Sequence, residues 1–281
     1  MKPFLKWAGG KRQLLEVLLR YTNNINNGRY YEPFLGGGSL FFTLQKEHSI
    51  INDFNPEIIN AYLVIRDNPD ELIEQLRIHE HNNTSEYFYL IRSLDRNEDF
   101  SNLPAVERAA RTIYLNRTCY NGLYRVNSNG FFNVPFGRYV HPLICDEENL
   151  REISLFLSNS DVTIRNQDFA ESVQDAQEGD YIYFDPPYDY EDGKGFVGYN
   201  KEGFSHEDLQ RLRTICDNLL ERGCQVLISN NDTSFVRATF KDDENFEFIY
   251  ETIPLTTKRS INSNGAGRNT GREVLIYGRR R

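Results

Sequence analysis

A short apolar strand that ends in a carboxylate and two prolines constrains the fold of this chain more than any other stretch. Residues 181–184 combine aromatic and β-branched side chains, which favours a buried β-strand. Asp185, Pro186, Pro187 and Tyr188 follow at once, and prolines cannot continue a central strand. In an open α/β sheet, ligands bind beyond the carboxyl ends of the strands. We therefore expect these four residues to line a cleft, with an ordinary proline-rich turn as the alternative.

The same four residues predict a rigid group of hydrogen-bond acceptors. The prolines lack N–H donors, and an ionised Asp185 can only accept. Their natural partner is an amino group on an aromatic ring, because accepting both of its hydrogens would localise the nitrogen lone pair for attack. Tyr188 would stack on that ring. This chemistry predicts direct alkylation of a nucleobase amine, with the base flipped out of the duplex to reach the pocket.

Length and composition limit the classes of protein to consider. With 281 residues, 39% of them hydrophobic, the chain can form one domain with a large insertion or two domains. No apolar stretch approaches the length of a membrane span, and the N-terminal residues lack a signal-peptide core, so we expect a cytoplasmic protein without membrane contact. The four cysteines form no CxxC pair, so no metal site or disulfide framework is expected.

Charge is distributed unevenly along the chain. The net charge of −9 argues at first against a polyanionic partner. Residues 108–145, however, contain no acid and five arginines, namely Arg108, Arg111, Arg117, Arg125 and Arg138. Residues 258–281 contain seven Lys or Arg and a single acid, Glu273. This segregation predicts one positive face that binds nucleic acid.

Three further segments have the pattern of a ligand site. Trp7-Ala8-Gly9-Gly10-Lys11 precedes a helical pattern and could contact an anionic group, or it could be a loop whose tryptophan fills the core. A predicted strand over 29–34 leads through Leu35-Gly36-Gly37-Gly38-Ser39 into a helix, as in nucleotide-binding folds. The next strand, 50–53, ends in Asp53, which could bind ribose hydroxyls or cap the following helix.

The remaining segments predict the architecture. Residues 56–116 read as helices, and Asn129-Gly130 between extended runs predicts a β-hairpin over 124–135. That hairpin has Arg, Asn and aromatic residues suited to base edges, although a purely structural hairpin is the alternative. Further helices are expected over 146–157 and 206–221, and further strands over 162–164, 225–229, 249–253 and 274–277. Alternation of strands and helices implies a mainly parallel sheet, and residues 189–200 form a loop that could close over the cleft.

Six motifs, in this order, resemble the Dam and DpnM-type (D12 class) DNA adenine methyltransferases. They are Phe4-Leu5-Lys6-Trp7-Ala8-Gly9-Gly10-Lys11, Glu32-Pro33-Phe34-Leu35-Gly36-Gly37-Gly38, Asn52-Asp53, Tyr120-Asn121-Gly122-Leu123-Tyr124-Arg125, Phe132-Asn133-Val134-Pro135-Phe136-Gly137-Arg138-Tyr139 and Asp185-Pro186-Pro187-Tyr188. The resemblance implies an α/β fold, with the Rossmann-like mixed sheet of S-adenosylmethionine-dependent methyltransferases and a helical plus β-hairpin target-recognition insertion. It implies a catalytic domain of residues 1–55 and 160–281 and a recognition domain of residues 56–159.

The resemblance also implies a site. The catalytic residues would be Asp185, Pro186, Pro187 and Tyr188. The S-adenosyl-L-methionine site would include Trp7, Lys11, Glu32, Gly36, Gly38, Asp53, Asp168, Phe169 and Asp185. DNA would contact Lys6, Tyr120, Asn121, Leu123, Arg125, Asn133, Pro135, Arg138 and Arg259, with Tyr120 intercalating and Arg125 reading guanine.

By the same resemblance, the enzyme would methylate the 6-amino group of adenine in double-stranded DNA, within GATC. We expect it to act as a monomer. The residues leave other interpretations open: methylation of another amine, either the cytosine 4-amino group or an amine at a different DNA site, or a non-catalytic DNA-binding protein on the same fold. The sequence does not distinguish a restriction-modification partner from an enzyme that marks a genome.

Overall fold

The structure is a computed structural model that describes residues 1–6, 14–22, 25, 28–191, 204–258 and 270–281. Within them, seven strands form one mixed sheet in the order β3-β2-β1-β4-β5-β7-β6. The strands are β1 Tyr30–Glu32, β2 Ser49–Asn52, β3 Val162–Arg165, β4 Tyr181–Phe184, β5 Gln225–Asn231, β6 Phe248–Lys258 and β7 Thr270–Arg280. Strands β1 to β5 are parallel to one another, and β7 runs antiparallel to its neighbours β5 and β6. The predicted mainly parallel α/β sheet is confirmed.

Helices flank the sheet and fill the segment between β2 and β3. The helices among the described residues are α1 Leu15–Thr22, α2 Ser39–Leu44, α3 Pro56–Asp67, α4 Pro69–His81, α5 Ser85–Ser93, α6 Ala105–Thr118, α7 Glu147–Asn159, α8 His206–Glu221 and α9 Ser234–Thr239. Helix α8 begins with a capping box between Ser205 and Asp208, which explains its clear start in the sequence. Helix α9 was not predicted. None of the described helices combines the length and apolar character needed to span a membrane.

Strand β4 is buried on both faces, which explains its continuous apolar sequence. Side chains of a strand point alternately to opposite faces. Tyr181 and Tyr183 accordingly pack in the core that includes helices α3 to α7, whereas Ile182 and Phe184 pack in the core under α8. The end of β4 is therefore held between two packed layers.

The two central strands are also joined at their N-terminal edge. Arg29, just before β1, donates its backbone N–H to Asp180 Oδ1 at 2.7 Å and its Nη2 to Asp180 Oδ2 at 2.9 Å. Asp180 lies just before β4 and is 4% exposed. The backbone continues this join, because Tyr181 N–H donates to the carbonyl of Arg29 and Gln225 N–H donates to that of Asp180.

The predicted hairpin of residues 124–135 is present, but it is not part of the sheet. Gly130 N–H donates to the Asn127 carbonyl at 2.9 Å and closes the turn. Val126 and Phe132 form an isolated antiparallel bridge, and Cys119 and Phe136 form another. The turn signal is thus confirmed, while the flanking segments do not form regular strands.

Candidate active site and nucleic-acid interface

The carboxyl ends of the parallel strands bring most of the expected site residues to one edge. Glu32 ends β1, Asp53 follows β2, and Asp168 and Phe169 lie a few residues beyond β3. Asp185 follows β4, which lies beside β1 in the sheet. Residues that are far apart in sequence therefore lie at one edge of the sheet, because parallel strands end at the same edge.

A tight glycine turn connects β1 to α2. Gly38 N–H donates to the Leu35 carbonyl at 2.8 Å, and both Gly36 and Gly38 have positive φ, 50° and 66°. A Cβ atom at Gly38 would lie 2.7 Å from Tyr62 Oη, so a larger residue requires this buried tyrosine to move. Tyr62 Oη also donates to the Gly36 carbonyl at 3.3 Å. The turn therefore has little room to change shape.

Two buried carboxylates lie beside this turn. Asp53 is 2% exposed and accepts the N–H groups of Gly36 and Asn55, each at 2.9 Å. The N-cap of α3 is Asn55, whose side chain accepts the N–H of Glu57, so the interpretation of Asp53 as the helix cap is wrong. Glu32 is 3% exposed and accepts the Tyr30 hydroxyl at 2.7 Å. Burial raises the pKa of Tyr30, and the Glu32 charge adds to that shift.

An aromatic wall, formed by Phe34, Phe169 and Phe204, stands next to the ends of β1 and β3. The rings of Phe34 and Phe169 stack at a centroid distance of 5.2 Å, and Phe204 packs against both. The Arg211 guanidinium lies 4.6 Å from the Phe169 ring centroid and donates through both Nη atoms to Asp168. Phe204 and Arg211 were not predicted, because α8 shows ordinary helical periodicity and its sequence gives no sign that Arg211 contacts Asp168.

The segment after β4 is attached to the end of β5. Asp189 N–H donates to Asn230 Oδ1 at 2.9 Å, and Asn231 Nδ2 donates to the Asp189 carbonyl at 2.6 Å. Tyr188 Oη donates to Glu273 on β7 at 3.3 Å. These contacts fix the position of the four residues from Asp185 to Tyr188, here called the corner. Asp185 itself is half-buried. Asn230, Asn231 and Glu273 were not predicted, since only the three-dimensional pairing of β4, β5 and β7 brings them here.

Tyr183 lies two residues before Asp185 and is closed off from water. Its hydroxyl shares a 2.7 Å hydrogen bond with Ser229 Oγ on β5. Burial raises the pKa of Tyr183 well above its usual value, and the charge of Asp185 is the next contribution. Tyr183 therefore stays neutral and fills the core beneath the corner.

Several expected DNA contacts surround a cavity of about 520 Å³ beside the hairpin, which Tyr120, Asn121, Phe136, Gly137, Arg138 and Tyr139 line. Tyr120 is 51% exposed and its N–H donates to the Pro135 carbonyl, so it projects at the hairpin base. Lys6 Nζ lies 3.9 Å from the Tyr139 ring centroid. Burial lowers the pKa of Lys6, and the nearby Arg117 charge lowers it further.

The other expected DNA contacts have distinct positions. Arg125 Nε donates to Asn133 Oδ1 at 2.7 Å across the hairpin. Leu123 is half-buried, and Pro135 and Arg138 are exposed. Trp7, Lys11 and Arg259 lie outside the described residues, as does most of the loop predicted over 189–200.

Two of the five arginines in the acid-free stretch are paired internally. Arg108 forms an ion pair with Glu57 of α3, and Arg111 Nη2 lies 2.8 Å from Asp95 Oδ2 with 6% of its side chain exposed. The sequence could not show this, because both acids precede the stretch by many residues. The positive surface is thus smaller than the sequence suggests.

Together these features define a class of protein. A mixed sheet with a parallel centre and an antiparallel β7, a glycine turn after β1 and an Asp-Pro-Pro-Tyr corner after β4 define a Rossmann-like methyltransferase. In the described part of the chain, no group of His, Cys, Asp and Glu side chains could hold a metal ion.

Comparison with known proteins identifies the family. Residues 7–261 match the family model of the D12 class N6 adenine-specific DNA methyltransferases, and the chain belongs to this family. The chain is 42% identical over 279 residues to Type II methyltransferase M1.LlaDCHI of Lactococcus lactis subsp. cremoris, covering 99% of this chain and 96% of that protein. It is 32% identical over 279 residues to the DNA adenine methylase of Escherichia coli K12, covering 98% and 94%. The predicted family and the adenine-specific DNA methyltransferase activity are confirmed.

A third relative extends the comparison. Over 297 residues the chain is 37% identical to Type II methyltransferase M.MjaIII of Methanocaldococcus jannaschii, covering 98% of each protein. The similarity thus spans both the strands of the sheet and the helical segment between β2 and β3.

Proposed function

We propose that this enzyme transfers a methyl group from S-adenosyl-L-methionine to the 6-amino group of adenine within GATC in double-stranded DNA. Transfer is direct and in line, to a base flipped out of the duplex. The observation that carries the proposal is the corner from Asp185 to Tyr188, attached to β5 and β7 at the end of a central strand. A corner fixed by Asp189 and Tyr188 keeps its acceptors in one position for an incoming amine.

The residues at the sheet edge fit S-adenosyl-L-methionine, which supplies a methyl group activated by a sulfonium. The flat aromatic wall of Phe34, Phe169 and Phe204 suits an adenine ring, and buried Asp53 and Glu32 suit hydroxyl and ammonium donors. We propose that these residues hold the cofactor together with Trp7, Lys11, Asp168 and the Gly36–Gly38 turn.

The corner prepares the adenine amine for attack. The Asp185 carboxylate and the Pro186 carbonyl accept its two hydrogens, so that its lone pair points towards the methyl carbon. Tyr188 stacks on the flipped ring. The nitrogen forms the new carbon–nitrogen bond while the carbon–sulfur bond breaks, and the amine then loses one proton to solvent along the Asp185 hydrogen bond. No covalent bond to the protein forms.

We further propose that residues 56–159 form the target-recognition domain, while residues 1–55 and 160–281 form the catalytic domain. Tyr120 enters the base stack and Arg125 reads a guanine, while the other contacts come from Lys6, Asn121, Leu123, Asn133, Pro135, Arg138 and Arg259. The half-exposed Tyr120 and the cavity beside it support this assignment. The enzyme acts in the cytoplasm as a monomer, on one strand at a time.

The test is transfer of labelled methyl groups to short duplexes. One duplex contains unmethylated GATC, one has this site scrambled, and one has the site with its adenines already methylated on both strands. Transfer to the first alone supports substrate, base and site together. Transfer to all three would contradict GATC, and transfer to the scrambled duplex alone would assign a different site.

A further inference from the structure

The outer edge of the hairpin is bound by side chains rather than by another strand. Asn127 N–H donates to the Phe131 carbonyl and Asn133 N–H donates to the Arg125 carbonyl. In an antiparallel pair, the residue between two such bonds directs its own N–H and C=O away from the partner segment, so those of Phe132 point outwards from the hairpin. Asp95 Oδ2 accepts that N–H at 2.8 Å, and Arg96 Nη2 donates to that carbonyl at 2.7 Å. Two consecutive residues just after α5 thus bind both outward backbone groups of Phe132.

Asp95 is itself held in place from the interior. Arg111 Nη2 lies 2.8 Å from Asp95 Oδ2, and the two side chains are 6% and 9% exposed. Arg111 also donates to the carbonyls of Ile91 and Arg92, each at 2.9 Å. A buried ion pair needs additional hydrogen bonds to offset its desolvation, and the two carbonyls supply them to Arg111. Asp95 therefore has a fixed position, and its hydrogen bond with Phe132 positions the hairpin.

The position of Phe132 decides which side chains the hairpin exposes. Phe132 and Val134 are 3% and 1% exposed and enter the core, so Asn133 and Pro135 point outwards. A shift by one residue would bury the outward side chains and expose the apolar ones. Because Asn133 Oδ1 binds Arg125 Nε at 2.7 Å, the same register also sets the position of the Arg125 guanidinium.

We propose that Asp95 and Arg96, here called the hairpin anchor, are positioning residues that set the sequence preference of the enzyme without touching DNA. A two-stranded hairpin outside a sheet is marginally stable in water, so its own pairing does not hold one register. The hairpin anchor adds a second constraint on Phe132 to the one that the burial of its side chain provides. This inference rests on the proposed function in one respect, namely that the hairpin reads DNA.

The test compares Arg96→Met with a matched control, Arg66→Met. Arg66 pairs with its neighbour Asp67 as Arg96 pairs with Asp95, and the two arginine side chains are 31% and 32% exposed. Methionine keeps the apolar stem and removes the donors. The preferred site of the wild type is first determined on a library of random duplexes. Discrimination is then the ratio of kcat/KM on that site to kcat/KM on each single base-pair substitution.

We expect Arg96→Met to lower discrimination about tenfold, because one wrong base pair ordinarily costs a sequence-specific protein about tenfold or more. Activity on the preferred site should fall much less. Hydrogen exchange of the peptide covering residues 127–136 should become faster. Arg96→Lys should restore discrimination, since an ammonium can still donate to the Phe132 carbonyl, and Arg66→Met should leave discrimination at the wild-type value.

A second variant, Asp95→Asn, keeps the shape of the side chain but removes its charge, and it should lower discrimination in the same way. Wild-type discrimination in both Arg96→Met and Asp95→Asn would overturn the proposal. So would an equal loss of activity on every duplex, which a merely destabilised protein would show. A wild type that prefers a site other than GATC would contradict the proposed site alone, whereas a wild type without sequence preference would overturn both proposals.

Discussion

Three of the carboxylates at the carboxyl edge of the sheet, Asp53, Asp168 and Asp185, have different surroundings. Asp53 is buried and accepts two backbone N–H groups. Asp168 accepts both Nη atoms of Arg211 as well as the N–H of Ala170. Asp185 is half-buried and begins a corner of two prolines. The contacts of Asp53 and Asp168 suit the binding or shaping of a site, and the position of Asp185 at the start of an acceptor corner suits contact with a reacting amine.

Replacement of Asp185 tests this distinction. We expect Asp185→Ala to lower the rate of methyl transfer at least about 100-fold, because one well-placed polar contact in a transition state is worth this much. The measurement is single-turnover transfer at saturating S-adenosyl-L-methionine and DNA, with thermal unfolding as the check on folding. Unchanged transfer in a folded variant would contradict the proposed mechanism.

A residue remote from the site determines how stability depends on pH. Burial lowers the pKa of His79 from 6.5 to about 4, while its Nδ1 bonds with the Tyr87 hydroxyl and its ring stacks on Tyr114. The unfolded chain binds a proton below pH 6.5 that the native state excludes until about pH 4. The stabilising contribution of the neutral ring is therefore complete above pH 6.5 and is lost as the pH falls towards 4.

We expect the free energy of unfolding to fall by about 3 kcal/mol over this window because of His79. Urea unfolding at pH 7, 6, 5 and 4 would measure it. His79→Gln should remove most of this slope, whereas His81→Gln, on the exposed side of the same helix, should keep it. Equal slopes in the wild type and His79→Gln would show that the burial of this ring does not affect its protonation.

At the scale of elements, the turn between β1 and α2 joins the sheet to the proposed cofactor site. Gly38→Ala places a Cβ 2.7 Å from Tyr62 Oη at a φ of 66°. Gly130→Ala is the matched control, because its φ is 83° and a Cβ there meets nothing within 4 Å. Backbone strain should cost about 1–3 kcal/mol at either position.

The clash with Tyr62 should add about 1–3 kcal/mol at Gly38 alone and weaken binding of S-adenosyl-L-methionine. Urea unfolding and calorimetric titration would measure the two effects. If the two variants lose equal stability and both bind the cofactor normally, then the shape of the turn is not what the site requires.

The helices and strands also show which parts of the fold are determined by the local sequence. Helix α8 agrees with its prediction at both ends, because its cap and its apolar periodicity are local signals. Strands β6 and β7 were predicted with five and four residues and have 11 each. Their length comes from pairing with each other, which the sequence of either strand alone does not contain. Helix α9 has only six residues, too few to establish a period.

Part of the candidate site can likewise be predicted from the sequence, and part cannot. The glycine turn, Asp53 and the corner after β4 follow strands, so their common edge could be predicted from the rule for parallel sheets. The contacts of Arg211 with Asp168, and of Asp95 and Arg96 with Phe132, join segments far apart in the chain. Such contacts depend on how helices pack, and no local pattern reveals them.

At the scale of the whole molecule, the pairing of arginines changes the expected DNA-binding surface. Arg138 is exposed beside the cavity, whereas Arg108 is paired with Glu57. We expect Arg138→Ala to reduce the slope of log Kd against log salt concentration by about one, because one phosphate contact is lost. Arg108→Ala should lower the melting temperature and leave that slope unchanged. Equal slopes for the wild type and both variants would remove Arg138 from the DNA interface.

The contacts that join the central strands lie apart from the contacts proposed for DNA. The strands are joined through Arg29 and Asp180 at the edge away from the site, while most of the contacts proposed for DNA come from the segment between β2 and β3. Substitutions that change the preferred DNA sequence should therefore lower the free energy of unfolding only slightly. Under laboratory evolution towards another DNA sequence, we expect accepted changes to gather in residues 119–138 and around the hairpin anchor. Arg29 and Asp180 should survive every round unchanged.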